Sequence, residues 1–287
     1  MIKNSAKLSI KRRLYSAAWS GFIVLCVVIA VALLFAIIGY VFFRGLGHID
    51  WTFLSTARSA LRNTIGILPN LIFTLYLVIT TLVIALPVGI GAAIFLNEYA
   101  TQQKLVRFIE FVIELLAGIP SIIYGIVGIL VFVTTFGMSP SILVGSLTLS
   151  LLVLPIIVRT TQEALKTVPN AYREGSVALG ATKWHTIRTI ILPSCLDGIV
   201  SGTILAIGRM IGESAALLLT AGMGFELVTN YFRALGTEGA PLTVALWLYI
   251  TEHANFDAAF AIASILIIIV LILNLLTKLL KRKLKRG

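Results

Sequence analysis

Charge is scarce in this chain of 287 residues: only 12% of positions are Asp, Glu, Lys or Arg, and 59% are hydrophobic. The mean hydropathy of +1.02 lies outside the soluble globular range. That excludes a domain folded round one core with a polar surface and makes a bilayer the expected solvent. Cysteine is nearly absent: Cys26 lies inside an apolar run and Cys195 just past a proline, too far apart for metal-ligand spacing, so neither a zinc site nor a redox role follows. Histidine occurs three times, as His48, His185 and His253, each in a predicted loop with no partner at catalytic spacing. No Gly-Lys pair occurs, so no phosphate-binding loop is available, and no G-x-G-x-x-G is present either. The expectation is a chain without its own ATPase site, enzyme chemistry, cofactor or metal.

What the chain has is long apolar runs. A bilayer core about 30 Å thick takes roughly 20 helical residues. Six segments qualify, near 20–43, 71–96, 118–136, 141–159, 195–221 and 257–277. This predicts an all-α membrane protein with six transmembrane helices. Pro155 in the fourth and Pro87 with Gly89 and Gly91 in the second predict kinks or breaks. The first run is longer than a signal-peptide core and lacks a convincing cleavage site, so it should stay as an anchor.

The net charge of +11 does not point to nucleic acid, because eleven of the 23 basic residues sit in the two tails, Lys3 to Arg13 and Lys278 to Arg286. Basic clusters flanking spans follow the positive-inside rule and attraction to anionic lipid. Lys and Arg number five in the first tail, two in 97–117, five in 159–194 and six after 277, against three, none and one in the alternate segments. Both termini are therefore expected in the cytoplasm of a multi-pass cell membrane protein.

Between the fourth and fifth expected spans lies a long insert with helix punctuation. Pro169 and Asn170 can open a helix, Gly180 can close it in the left-handed conformation, and Thr182 can cap a second helix running to Leu192, before Pro193. Glu174, Gly180, Ile190, Leu192 and Pro193 fit the spacing E-A-A-x3-G-x9-I-x-L-P, with Gly175 and Ser176 at the two alanine positions. Both replacements stay small, although they weaken local helix propensity.

With that spacing the insert resembles the cytoplasmic loop of the permease subunits of ATP-binding-cassette importers. The resemblance covers about residues 64–277. It is carried also by LPVGIGAAIFLNEYA at 86–100, LAGIPSIIYGIVG at 116–128, LPIIVRTTQEALKTVP at 154–169 and GRMIGESAALLLTAG at 208–222, and is greatest to phosphate-importer permeases of the PstA type. It implies the type I importer permease fold, with a core at 64–277, an N-terminal part at 1–63 and a basic tail at 278–287. The implied partners are a paralogous permease completing a heterodimeric pore, two cytoplasmic subunits that bind ATP and Mg, and an extracytoplasmic phosphate-binding protein. Glu174, Gly175, Ser176, Gly180, Ile190, Leu192 and Pro193 would form the loop that couples to the ATPase, with Glu174 holding the turn or meeting a basic partner.

For a substrate path the sequence offers Arg209 and Glu213 in the fifth span. Read as one helix, that span puts Gly198, Gly202, Arg209 and Glu213 within about 60° of one another. Two explanations stand. Either Arg209 attracts an oxyanion with Glu213 positioning it, or the two form an i, i+4 pair, or pair with the partner permease, and hold helices together. The small-x3-small pairs Gly198/Gly202 and Gly208/Gly212 should admit a neighbouring helix. Arg159 is a weaker path candidate, equally suited to snorkelling at the membrane boundary. Glu110 and Glu114 fit a surface amphipathic helix, Trp51, Trp247 and Tyr249 fit interfacial anchors, and Gly125 and Gly128 fit helix packing.

Overall fold

A computed structural model describes residues 10–59 and 64–284. Of the basic residues counted above, Lys3, Lys7, Arg62, Lys285 and Arg286 lie outside these. The described chain is helical apart from one small hairpin. The elements are α1 (Ile10–Gly45), α2 (Trp51–Ser55), β1 (Ala57–Ser59), β2 (Thr64–Ile67), α3 (Leu68–Ile94), α4 (Gln103–Gly118), α5 (Ser121–Gly128), α6 (Ile142–Lys166), α7 (Asn170–Ala178), α8 (Lys183–Thr186), α9 (Leu192–Ser194), α10 (Leu196–Ile211), α11 (Ala215–Thr220), α12 (Tyr231–Leu235), α13 (Leu242–Thr251) and α14 (Phe256–Leu284). The strands pair antiparallel, Ala57 opposite Ile67 and Ser59 opposite Thr64. Three π-helical turns, Phe95–Tyr99, Ile129–Thr135 and Ile187–Ile191, extend α3, α5 and α8.

Among the described residues four stretches are long and apolar enough to cross a membrane: Tyr15–His48, Leu68–Tyr99, Ile142–Lys166 and Phe256–Leu279. Two bent pairs bring the number to six if each is one span: Gln103–Gly118 with Ser121–Thr135, bent by 100°, and Lys183–Ser194 with Leu196–Ile211, bent by 68°. The breaks are not where Pro87 and Pro155 predicted them. Both prolines sit inside unbroken helices. Each removes one backbone donor, and close packing of α3 on α6 holds the helix together across the gap. A methyl at Gly89 would lie 2.6 Å from Ile157 Cγ2, so α3 approaches α6 at van der Waals distance beside Pro87.

The fourth expected span is longer than 141–159, continuing as α6 to Lys166, and it is the central post of the molecule. Val144, Leu149, Val153, Ile157, Val158 and Leu165 are buried along it. The hydroxyls of Ser146, Thr148 and Ser150 donate to carbonyls one turn back, which lets polar residues sit in an apolar core. Gly125 and Gly128 pack α5 against α11 and α6, as their sequence setting predicts. Built methyls would meet Ala216 Cα at 2.8 Å and Thr220 Cγ2 at 2.9 Å.

The fifth expected span is not one helix from 195 to 221. The chain turns at Cys195, runs as α10 to Ile211, breaks at Gly212–Ser214 and resumes as α11. Glycine at 208 and 212 lowers helix propensity on the approach to the break. Glu213 then supplies reasons to stop: its carboxylate accepts from Ala216 N (3.2 Å) at the start of α11, and its carbonyl accepts from Thr243 Oγ1 (2.6 Å). Backbone groups freed by the break are thereby satisfied. α1 stands apart, with its apolar side chains largely exposed and its contacts made with α14 through Tyr40 against Phe260 and Ser264 Oγ donating to Val41 O. α4 buries no residue and presents Leu105, Phe108, Phe111 and Leu115 outward as an apolar face.

Candidate functional site

The insert between α6 and α10 folds as its punctuation predicts. α7 follows Pro169, Gly180 adopts φ +81°, and Thr182 accepts from His185 N (3.4 Å) to cap α8. Ala181 N reaches back to Ser176 O (3.1 Å), closing the turn. Ser176 is buried and its hydroxyl bonds that of Thr186 (2.7 Å), joining the two arms. Ile190 and Leu192 continue the second arm, with Ile187 and Ile191 buried beneath it and Pro193 inside α9. Glu174, Gly175 and Gly180 are exposed, and Glu174 makes no ion pair among the described residues. Around them Tyr172, Val177, Leu179 and Trp184 stand 53%, 63%, 90% and 56% exposed. Ala171, Tyr172, Gly175, Leu179 and His185 line a shallow concavity of about 560 Å³. A glutamate ringed by outward apolar side chains on a short polar helix is a surface shaped for a protein partner.

Two residues that sequence reasoning did not single out hold this loop. Arg173, next to Glu174, points the other way. Its Nη2 lies 2.7 Å from Glu98 Oε1 and its Nε 3.2 Å from both carboxylate oxygens. The same guanidinium donates to Val168 O (2.8 Å), Leu165 O (3.1 Å) and Asn170 Oδ1 (3.3 Å). Glu98 also accepts from Asn97 Nδ2 (2.8 Å). With side chains only 22% and 6% exposed, this is a desolvated, forked, fully engaged pair. Removing one partner of such a pair costs about 3–5 kcal/mol. Lys183 of α8 stands over the Tyr99 ring at 5.0 Å, so both arms grip the Phe95–Tyr99 turn. The signal available in the sequence was a lone acid at the end of an apolar run, Glu98, and a base in the insert, Arg173, next to the motif glutamate.

The structure separates the path candidates. Arg209 is exposed near the end of α10, while Glu213 is 6% exposed beyond the helix break, and the two form no ion pair. The i, i+4 arrangement therefore fails because the helix ends at Ile211 before it can include Glu213. Arg209 makes no salt bridge among the described residues and lies within electrostatic reach of the Tyr124 hydroxyl on α5. The two small-residue pairs also differ. Gly198 and Gly202 admit α6 of the same chain, packing on Ala164 and Thr160, whereas Gly208 has open space around its α-carbon.

Arg159 sits in a charged cluster between α4 and α6, 3.6 Å from Glu114 and 3.9 Å from Glu163. Lys166 lies 3.7 Å from Glu110, which also accepts from Gln162 Nε2 (3.2 Å). These pairs are more than a third exposed and tie α4 down at a modest gain. At the opposite end of the molecule, Tyr249 is buried against Phe225 and His253, too deep for an interfacial anchor, whereas Trp51 is 79% exposed. His253 has a partner after all: Arg58 of β1 meets it and stacks over Phe225 and Tyr249. Asp50 caps α2, and hydrogen bonds from Thr52 and Phe53 hold its carboxyl below the usual range.

The family described as binding-protein-dependent transport system inner membrane component matches residues 85–286. A probable ABC transporter permease protein of Bacillus subtilis, YqgI, is 38% identical over 74% of this chain and 72% of its own length. Phosphate transport system permease protein PstA 1 of Mycobacterium tuberculosis is 37% identical over 65% of this chain and 60% of its own. The PstA protein of Mycobacterium leprae is 32% identical over 91% of this chain and 86% of its own. Among solved structures, the inward-facing MetNI methionine ABC transporter matches with a TM-score of 0.58 at 22% identity, over 76% of this chain and 94% of that one. A bacterial ABC transporter that imports the acidic polysaccharide alginate matches with a TM-score of 0.64 at 14% identity, over 94% and 99%. At those identities the structural likeness speaks for the fold alone.

Proposed function

We propose that this chain, which belongs to the family of inner membrane components of binding-protein-dependent transport systems, forms half of the path by which inorganic phosphate is imported across the cell membrane. A paralogous permease supplies the other half. Two cytoplasmic subunits bind ATP and Mg and drive transport, and an extracytoplasmic binding protein delivers phosphate. The α7 end then faces the cytoplasm, as do both termini, in keeping with the surplus of Lys and Arg on that side. The observation that carries the reading is the loop from α7 to α8: an exposed, partner-shaped surface on Glu174, Gly175, Leu179 and Gly180, its two arms joined by Ser176 and mounted on the neighbouring helices by Arg173.

Arg209 supports an anionic substrate. A cation exposed at the end of α10, with no carboxylate neutralising it among the described residues, attracts an oxyanion once the second permease encloses it. Glu213 then acts on the backbone, fixing the helix break that presents Arg209, rather than touching the arginine. Arg159 is placed by its own carboxylate partners and serves the α4 contact. ATP binding moves the loop and biases the permease pair between two arrangements, and hydrolysis resets it. The name shared by several relatives supports phosphate. Another oxyanion, sulfate or molybdate, is the second reading, since an arginine recognises charge and oxygen geometry common to all three. Uptake of labelled phosphate by the reconstituted complex, in competition with sulfate and molybdate, decides between them. Competition by unlabelled phosphate alone is expected, and equal competition by sulfate would transfer the assignment to oxyanions in general.

A further inference from the structure

We infer that Arg173 and Glu98 form the joint that carries movement of the α7 loop into the second span, so that α7 and the Phe95–Tyr99 turn travel as one body. The inference rests on the reading of α7 as the surface that meets the ATPase. A loop that only docks on a motor transmits nothing unless something stiff connects it to the helices lining the path. In this chain covalent continuity ties α7 to α6 through Thr167, Val168 and Pro169 and to α8 and α10 through Leu179 to Thr182, and neither link reaches α3. Arg173 adds the connection to α3. One guanidinium engages Glu98 at the far end of α3 and, at the same time, the carbonyls of Leu165 and Val168 at the end of α6.

Three features make this a joint and not an incidental surface pair. The fork is planar and multiply bonded, so it fixes direction as well as distance, which a lysine could not do. The Glu98 side chain is 6% exposed and that of Arg173 22%, so solvent competes only weakly with the pair as the loop is pushed. Lys183 over Tyr99 attaches the α8 arm to the same turn, giving the loop two points of purchase on one segment. The turn itself is π-helical, a single widened turn ending α3, which projects Glu98 toward the loop. Beyond it α3 runs unbroken to Leu68, so a displacement at Glu98 reaches the opposite end of the molecule along one helix packed on α6.

Arg173 and Glu98 are thus positioning residues for transport, acting through helices and not on substrate. In the reconstituted complex with its paralogue, ATPase subunits and binding protein, Glu98→Gln and Arg173→Lys should each lower the phosphate moved per ATP hydrolysed by about tenfold, while the ATPase subunits still co-purify. The Glu98→Gln/Arg173→Lys double variant should be no worse than either single one. An unchanged ratio, or additive losses, overturns the joint. A wild-type complex without ATP-dependent uptake overturns the functional reading as well, which separates the two failures.

Should the variants not assemble, spin labels at exposed positions leave the pair intact. In a Cys26→Ala background, Phe95→Cys and Val177→Cys report the distance from α3's end to α7, and Trp51→Cys with Val177→Cys reports from the opposite end. On adding a non-hydrolysable ATP analogue, the 95–177 distance should hold within the width of its distribution while the 51–177 distance shifts. A shift in the 95–177 distance shows the loop moving independently of α3 and overturns the proposal.

Discussion

Arg173 and Arg209 are both arginines at helix ends in an apolar protein, and the chain treats them in opposite ways. Arg173 is enclosed, forked onto Glu98 and bonded to two carbonyls, so its charge is used up inside the chain. Arg209 is exposed, and its nearest acidic neighbour in sequence, Glu213, turns away to bond backbone. The difference separates transmission from recognition. A charge neutralised internally can hold helices together and cannot attract a ligand, while a charge left open within a membrane is costly unless something outside the chain completes it.

The largest effect is expected at Arg209. Arg209→Gln should lower phosphate uptake by about 100-fold or more, the loss expected for a charged anchor, with Arg209→Lys in between. Because the side chain is exposed and makes no salt bridge, the thermal midpoint of the purified complex should stay within the effect of about 0.5 kcal/mol typical of surface changes. A fall in midpoint alongside uptake would place Arg209 with Arg173 among residues that hold the structure. Next in size is Leu179→Asp. Leu179 is 90% exposed, so a titration of purified ATPase subunits should show binding weakened about 30-fold, as for loss of an interface anchor of about 2 kcal/mol.

Most of the loop was legible in the sequence because its determinants are local. A proline, a glycine at positive φ and a capping threonine each act within four residues, and all three take the predicted conformations. The spans were legible as composition. The breaks were not, because whether a proline or a glycine interrupts a helix depends on what packs beside it. Pro87 and Pro155 are bridged by contacts between α3 and α6, while Gly212 is followed by a carboxylate and faced by Thr243, which together take up the loose backbone groups. Arg173 and Glu98 were invisible as a pair because 75 positions separate them. Tyr249 looked interfacial by type and proximity, yet the fold of 221–255 over it determines its depth.

Glu213 tests the separation from the other side. If Glu213 served only to position Arg209, Glu213→Gln would damage uptake as much as Arg209→Gln. The hydrogen bond to Ala216 N at the break gives a different expectation. Gln retains an oxygen acceptor there, so uptake should fall by no more than about threefold, and thermal unfolding should show a loss of about 1 kcal/mol, the size of a weakened helix cap. A loss of uptake matching that of Arg209→Gln, without loss of stability, would return the two residues to one site.

The smallest effects are expected where Gly175 and Ser176 stand in place of the motif's two alanines, and they show how much of the loop's function lies in shape alone. Gly175 has open space around its α-carbon, so Gly175→Ala introduces no clash within the chain and should stabilise α7 by about 1 kcal/mol through helix propensity. Ser176→Ala removes the bond to Thr186, whose hydroxyl still donates to Thr182 O (3.1 Å), so no buried donor is stranded. The helix gains about 0.5 kcal/mol in propensity against about 1 kcal/mol for the lost bond, a near balance. ATP-driven uptake by either variant should therefore stay within about twofold of wild type. If Ser176→Ala alone fell well below that, the link between the two arms of the loop would carry force beside the Arg173 joint, and the division between a rigid mount and an exposed docking face would have to be redrawn to include it.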